Sequence, residues 1–319
     1  LLRAPLTAGS RRCILPARED RAAASGLKFE REFSMPSLPL RVVTPERQEP
    51  LPSQDAVWQR LLAEAEEGAS RDPALAALYA QILKAPSFEQ ALVRRLATLL
   101  ADAFLPAEAL GSILLNQVHA EPSIGVSMRA DIAAVLERDP AAGRLLEPLL
   151  FFKGYAALQT HRFAHVLWTR GKRDLALYLQ SRSSEVFHTD IHPAAMFGSG
   201  IFLDHATGFV AGETVLIEDN VSILHGVTLG GSGIEKGQRH PKVRTGVLIG
   251  AGAQVLGPIE IGAFSKIAAG SLVTQPVPPH SVAVGVPARI IAGTALETPA
   301  ESMNQALAEG SYETFAYTI

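Results

Sequence analysis

Apolar residues recur at helical spacing from Asp55 to about Glu185 and at a six-residue spacing beyond Phe187, so two halves of the chain follow different periods. In the first half, Val57, Trp58, Leu61, Leu62 and Ala65 share one face of a helix that Asp55 is placed to cap. Ser87 followed by Gln90 has capping-box spacing, and Phe88, Leu92, Leu96, Leu99 and Ala103 recur behind it at helical intervals. Pro106 opens another helix. A later helix carrying Leu149, Phe152, Tyr155, Leu158 and Phe163 is apolar around more of its circumference than a surface helix, which places it between neighbours.

In the second half, Ile191, Phe197, Leu203, Phe209, Val215, Val221 and Val227 stand six residues apart, and Ile249, Val255, Ile261, Ile267 and Val273 form a second register. Gly and Ala crowd the positions between them, where tight corners tolerate little bulk. A hexapeptide period belongs to a parallel β-helix, in which each short strand turns one side chain inward and stacks on the coil before it. Between Gly230 and Arg244 the rhythm gives way to a polar, glycine-rich segment, which predicts a loop leaving the prism. The fold class is therefore α+β. An α-helical domain spans 55–186, a left-handed parallel β-helix 187–293, and a flexible C-terminal tail 294–319. Residues 1–54 read as a disordered extension, or one lying upstream of the protein's own start.

Composition narrows the function. The chain has 319 residues, 47% hydrophobic and 19% charged, enough for a sizeable core. A net charge of -3, with no basic block beside stacking aromatics, argues against nucleic acid as a partner. The uncharged run between Arg244 and Glu260 is glycine-rich and too short for a membrane-spanning helix. Cys13 is the only cysteine, so no internal disulfide or cysteine metal cluster forms, which fits a reducing, cytoplasmic setting. Residues 1–34 hold six arginines and precede Met35. An upstream extension, a transit segment and a disordered tail compete there, and Glu19, Asp20, Glu30 and Glu32 count against the transit segment.

Several motifs carry a narrower signal: Asp190-Ile-His-Pro-Ala-Ala, Leu203-Asp-His-Ala-Thr-Gly, Gly212-Glu-Thr, Val221-Ser-Ile-Leu-His-Gly-Val-Thr-Leu-Gly-Gly, Arg239-His-Pro-Lys and Gly285-Val-Pro-Ala-Arg. The chain from about residue 55 to its end resembles the bacterial and plant serine O-acetyltransferases, members of the hexapeptide-repeat acyltransferases. The resemblance implies acetyl transfer from acetyl-CoA, a co-substrate rather than a resident cofactor, to the hydroxyl of L-serine, giving O-acetyl-L-serine in cysteine biosynthesis. It implies His205 as general base, with Asp190 orienting its ring, because a serine hydroxyl stays protonated at neutral pH. Eighteen residues per coil puts positions 190 and 205 on adjacent coils.

By the same resemblance Asp139 and Asp204 face the polar groups of the amino acid, Arg239 forks its carboxylate and His240 assists at the hydroxyl. Asp139 before Pro140 also reads as a helix N-cap. Gly231, Ala251, Lys266 and Ala269 are the implied coenzyme A contacts, Lys266 at a phosphate, although turn geometry equally explains the small residues. No Gly-x-Ser-x-Gly elbow is present, so the serine oxygen attacks the thioester directly. The resemblance further implies trimers or dimers of trimers, feedback inhibition by L-cysteine, and docking of the terminal Ile319 into O-acetylserine sulfhydrylase. Sugar or antibiotic acetyltransferases are the alternative, but those usually lack so large a helical domain. A β-helix carbonic anhydrase is a weaker one, because no histidine pair has that family's five-residue ligand spacing and no metal is expected.

Overall fold

The computed structural model describes residues 55–233, 236–293 and 298–307. Its first part comprises α1 (Ala56–Arg71), α2 (Ala76–Leu83), α3 (Phe88–Leu100), α4 (Ala107–Ala120), α5 (Ser123–Arg138), α6 (Leu146–Leu150), α7 (Lys153–Thr169) and α8 (Arg173–Phe187). Asp55 caps α1 by accepting from the Trp58 amide at 3.2 Å, and Ser87 caps α3 by accepting from the Gln90 amide at 3.3 Å. Both agree with the spacing. Trp58, Leu61 and Ala65 join Phe88, Leu92 and Leu96 in one buried cluster.

The apolar run read as a single helix through Leu149 and Phe163 is two helices. Phe151 and Phe152 leave helical geometry between α6 and α7. The run is apolar on both sides of the break, so periodicity did not mark it. After the break α7 is buried on nearly every face, and its first turn lies on the β-helix backbone: a Cβ on Gly154 would stand 2.0 Å from the Leu203 carbonyl oxygen.

The second part is a stack of short strands: β1 (Thr189–Ile191), β2 (Met196–Phe197), β3 (Phe202–Leu203), β4 (Phe209–Ala211), β5 (Leu216–Ile217), β6 (Ser222–Ile223), β7 (Thr228–Gly230), β8 (Lys242–Val243), β9 (Leu248–Ile249), β10 (Gln254–Leu256), β11 (Glu260–Ile261), β12 (Lys266–Ile267), β13 (Leu272–Val273), β14 (Ser281–Gly285) and β15 (Ala288–Gly293). From β1 to β13 every third strand pairs in parallel, and β14 then pairs with β12. The first face is β1-β4-β7-β10-β13, the second β2-β5-β8-β11, and the third β3-β6-β9-β12-β14, closed by antiparallel β15. This is the parallel β-helix that the period predicts.

The inward stack differs from the first register read in the sequence. On the first face Ile191, Ala211, Leu229, Val255 and Val273 lie one above another. Phe209, Val215, Val221 and Val227 are fully buried but stand two positions earlier in their coils. The chain takes eight residues from Leu203 to Ala211 where six would do, and His205 and Ala206, inside that insertion, both have positive φ. Because the stacked position and the one two before it are both apolar, a six-residue count runs through the phase shift unbroken. The larger interruption from Gly230 is a loop as expected, with pairing resuming at β8.

The junction between helices and β-helix is organised by a buried ion pair. Asp131 of α5 accepts from Arg162 Nε at 2.7 Å and Nη2 at 2.8 Å, from Gln159 at 2.9 Å, and from the Ile201 amide of the β-helix at 3.0 Å. Arg162 also donates to the Gly198 carbonyl at 2.7 Å. Beside it His161 is buried, and burial, then His165 and Arg162, hold its pKa well below the ordinary 6.5. The unfolded chain therefore takes up the proton first. Stability from this group is complete above about pH 6.5 and falls below it, at up to about 1.4 kcal/mol per pH unit. Urea melts at pH 7.0 and 5.5 should show His161→Phe losing about 1 kcal/mol less than wild type over that interval.

Of the tail, expected to be flexible from residue 294, the structure describes 298–307. Helix α9 (Pro299–Ser302) docks on the third face: Ser222 donates to the Ala300 carbonyl at 2.7 Å, and Ala300 is fully buried. Burial of this small apolar residue holds a segment whose Pro and Ser content reads as a linker. Residues 1–54 and the terminal Ile319 lie outside the described residues. Among the described residues no helix is long and apolar enough to cross a membrane.

Candidate active site

The corner joining the third face to the first carries one cluster of chemically capable groups. The two extra residues after β3 push the chain outward there, leaving the His205 side chain 74% exposed with φ of 55°. Its Nε2 lies 3.7 Å from Asp204 Oδ1, and the His225 ring stands edge-on to it with centroids 5.9 Å apart. Asp139, Asp204, His205 and Lys153 line one cavity of about 660 Å³, floored by Phe152, Tyr155 and Phe202. Burial pushes the Asp204 carboxyl above its usual range and the Asp139 charge adds to this, while the two imidazoles act against it. A cation entering the cavity would relieve that cost.

Asp139 does not cap a helix at its N-terminus. It ends α5 and accepts from the Ala141 amide at 2.8 Å, an Asx turn that aims the following chain past the cavity. The next helix begins only at Leu146, so Pro140 sits in a turn rather than a first helical turn.

A second cluster occupies the corner from the first face to the second. Arg239 ion-pairs with Glu213 at 2.7 Å, which lowers the Glu213 pKa. Thr214 clamps the end of the loop: its hydroxyl accepts from the Arg239 amide at 3.1 Å and the His240 amide at 3.2 Å. The Thr214 amide donates to His240 Nδ1 at 3.1 Å, which leaves the ring proton on Nε2. Burial, with Arg239 alongside, lowers the His240 pKa, so the ring is a neutral N–H donor at pH 7. Gly212 makes room for it, since a Cβ there would meet His240 Nε2 at 2.0 Å. His192 stands in the same corner, within electrostatic reach of Glu213, Asp190 and Arg239.

The expectation that Asp190 orients His205 is not met within one chain. Asp190 accepts instead from Gln180 Nε2 of α8 at 2.6 Å, and the carboxylate beside His205 is Asp204. Asp190 is the middle residue of β1, half-buried between the inward Thr189 and Ile191 and in register with Val210, and it lies within electrostatic reach of His192. One chain thus brings together Asp139, Asp204 and His205, and separately Arg239 and His240.

The implied coenzyme A contacts are also divided. Ala251 and Ala269 stand in one file with His225, because the amides of Gly252 and Gly270 bond to the carbonyls of His225 and Ala251 at 2.9 and 2.8 Å. Gly231 opens the loop beside Arg239, whose carbonyl oxygen a Cβ there would meet at 3.3 Å. Lys266 is buried on the third face and donates to the tail carbonyls of Asn304 and Ala306 at 3.3 and 2.8 Å. Only 5% of it is exposed in this arrangement, with its ammonium turned to the tail rather than to a phosphate. Sequence reasoning missed Glu213, Thr214 and His225. The first two follow Gly212 in a quoted motif, and His225 lies inside another, but nothing in their spacing marks a corner.

A helical domain joined to a hexapeptide β-helix, with an imidazole raised on one corner and a cationic loop on the next, defines an acyltransferase of the hexapeptide class. Residues 57–160 match the serine acetyltransferase N-terminal family. The serine acetyltransferase of Salmonella typhimurium is 49% identical over 264 residues, covering 82% of this chain and 96% of its own length. A serine acetyltransferase from Brucella abortus solved with coenzyme A is 54% identical with a TM-score of 0.74, covering 75% of this chain and 96% of that one. A serine acetyltransferase solved in complex with cysteine is 49% identical with a TM-score of 0.78, covering 79% and 98%. The chain belongs to the serine acetyltransferase family.

Proposed function

We propose that this protein transfers the acetyl group of acetyl-CoA to the hydroxyl of L-serine, releasing O-acetyl-L-serine and free coenzyme A for cysteine biosynthesis. The observation that carries the reading is His205, lifted from the β-helix corner beside Asp204 and over a cavity shared with Asp139. His205 takes the serine Oγ proton as that oxygen attacks the thioester carbon; the tetrahedral intermediate then collapses, the C–S bond breaks, and the imidazolium returns the proton to sulfur. Asp139 and Asp204 attract the substrate ammonium. Arg239 holds the substrate carboxylate, and His240 donates its Nε2–H at the reacting centre. Backbone N–H groups at the corner receive the oxyanion.

Because these two groups of residues flank opposite edges of the first face, the complete site requires two copies of the chain. A trimer of β-helices, or a pair of such trimers, brings the first corner of one copy to the second corner of its neighbour. Asp190 then reaches His205 across that boundary. The pantetheine arm of coenzyme A follows Ala251 and Ala269 in the same crevice, Gly231 borders it, and Lys266 meets a phosphate once the tail segment over it is displaced. L-cysteine, which shares the ammonium and carboxylate of serine, competes for the pocket, as a similar protein solved with cysteine suggests. The terminal Ile319 docks into O-acetylserine sulfhydrylase. The functional divisions are those of the sequence: helices over 55–186, catalysis over 187–293 and partner contact over 294–319.

Thiol release from acetyl-CoA tests the reading. L-serine should stimulate it strongly, while aminosugars and homoserine should do so weakly. Equal stimulation by an aminosugar would contradict it.

A further inference from the structure

His225 is absorbed by none of the roles above, yet it occupies a particular place. Four successive coils repeat one corner geometry: the amides of Gly208, Gly226, Gly252 and Gly270 each bond to the carbonyl of the coil below, at 2.7, 2.8, 2.9 and 2.8 Å. Each of these glycines has φ between 69° and 75°. The residues just before the last three, His225, Ala251 and Ala269, form a vertical file, with Thr207 beneath, at roughly 4.8 Å per coil. Two members of the file are methyl-sized, and the one nearest His205 is an exposed imidazole.

We infer that His225 is a contact for the sulfur of the acyl thioester, donating an imidazole N–H hydrogen bond to it. This rests on the reading that the pantetheine arm follows Ala251 and Ala269 up the corner. An arm threading those small residues reaches His225 before it reaches His205. Along the ligand, sulfur is the atom that immediately precedes the acyl carbon. With the two ring centroids 5.9 Å apart, neighbouring atoms of one ligand lying between them can touch both rings, the carbon beside the general base and the sulfur beside His225. As the C–S bond breaks, its electron pair moves onto sulfur, and the N–H of His225 stabilises that charge until the proton held by His205 arrives. The imidazole of His225 keeps its own proton throughout. Asp204, within electrostatic reach of both rings, stands on the amino-acid side of the pair.

The test compares coenzyme A with desulfo-coenzyme A in titration calorimetry on the intact protein. Wild type should bind coenzyme A about three- to tenfold more tightly, the worth of one hydrogen bond. His225→Leu should bind the two ligands equally with its affinity for desulfo-coenzyme A unchanged, and His225→Gln, which keeps an N–H donor, should restore most of the preference. A preference retained in His225→Leu would overturn the assignment, as would equal binding by wild type. The measurement involves no turnover, so it stands apart from the assignment of His205: loss of desulfo-coenzyme A binding in Ala251→Trp would report on the path of the arm alone.

Discussion

Replacing His205 by alanine lowers serine-dependent acetyl transfer by about 10²-fold or more, while leaving the folded state as stable as wild type. The two halves of this result come from the same geometry. Three quarters of the side chain is exposed on an outward bulge, so few packing contacts are lost, and a surface substitution of this kind changes stability within about 0.5 kcal/mol. The rate falls because a general base contributes roughly 10²–10⁴-fold. His205→Asn is the cleaner variant, since asparagine tolerates the positive φ of 55° at this corner. Steady-state rates beside thermal melts check both halves, and a variant with normal turnover would remove this imidazole from the mechanism.

The second large effect is structural. Asp131→Ala strands the Arg162 guanidinium, whose side chain is 8% exposed, and orphans the Gln159 amide and the Ile201 backbone N–H. Breaking a buried pair by removing one partner costs about 3–5 kcal/mol, because the remaining charge is uncompensated. In a chain of this size that corresponds to a fall in Tm of roughly 10 °C. The double variant Asp131→Leu with Arg162→Met should be more stable than Asp131→Ala, since it removes both charges. Differential scanning calorimetry on the three proteins separates these outcomes. A melting temperature within a degree of wild type for Asp131→Ala would show that the junction does not depend on this pair.

The fold was legible where one physical constraint acts alone. Inward positions such as Ile249, Val255, Ile261 and Ile267 must be apolar and evenly spaced, and the structure stacks them as the period requires. Legibility failed where two constraints share one residue type. Phe209 and Val221 are as buried as the true stack beside them, so the two-residue insertion that lifts His205 left no gap in the apolar count. The α6–α7 break was hidden in the same way, because Phe151 and Phe152 are no less apolar than the helices they separate. Asp139 before Pro140 fits either end of a helix, and only the distance to the next helical turn decides between them.

The candidate site was legible as a set of residue types and illegible as an arrangement. Spacing places Asp190 and His205 on neighbouring stretches of the same coil stack, but it carries no information on which corner each faces. Gln180, which the Asp190 carboxylate accepts from at 2.6 Å, comes from α8. Nor does sequence reveal that Lys266 is covered by Asn304 and Ala306, since that contact depends on where a short tail helix docks.

Subunit complementation tests most directly whether the two corners belong to one site. His205→Ala and Arg239→Ala each disable every site of a homotrimer, but in opposite halves. Co-assembled in equal amounts, half of the neighbours at each boundary bring an intact first corner and half an intact second, so about one boundary in four is whole. The co-assembled protein should recover about a quarter of wild-type turnover from two parents that are each nearly inactive. A mixture no more active than its parents, with mixed trimers verified by mass, would contradict a site shared between copies.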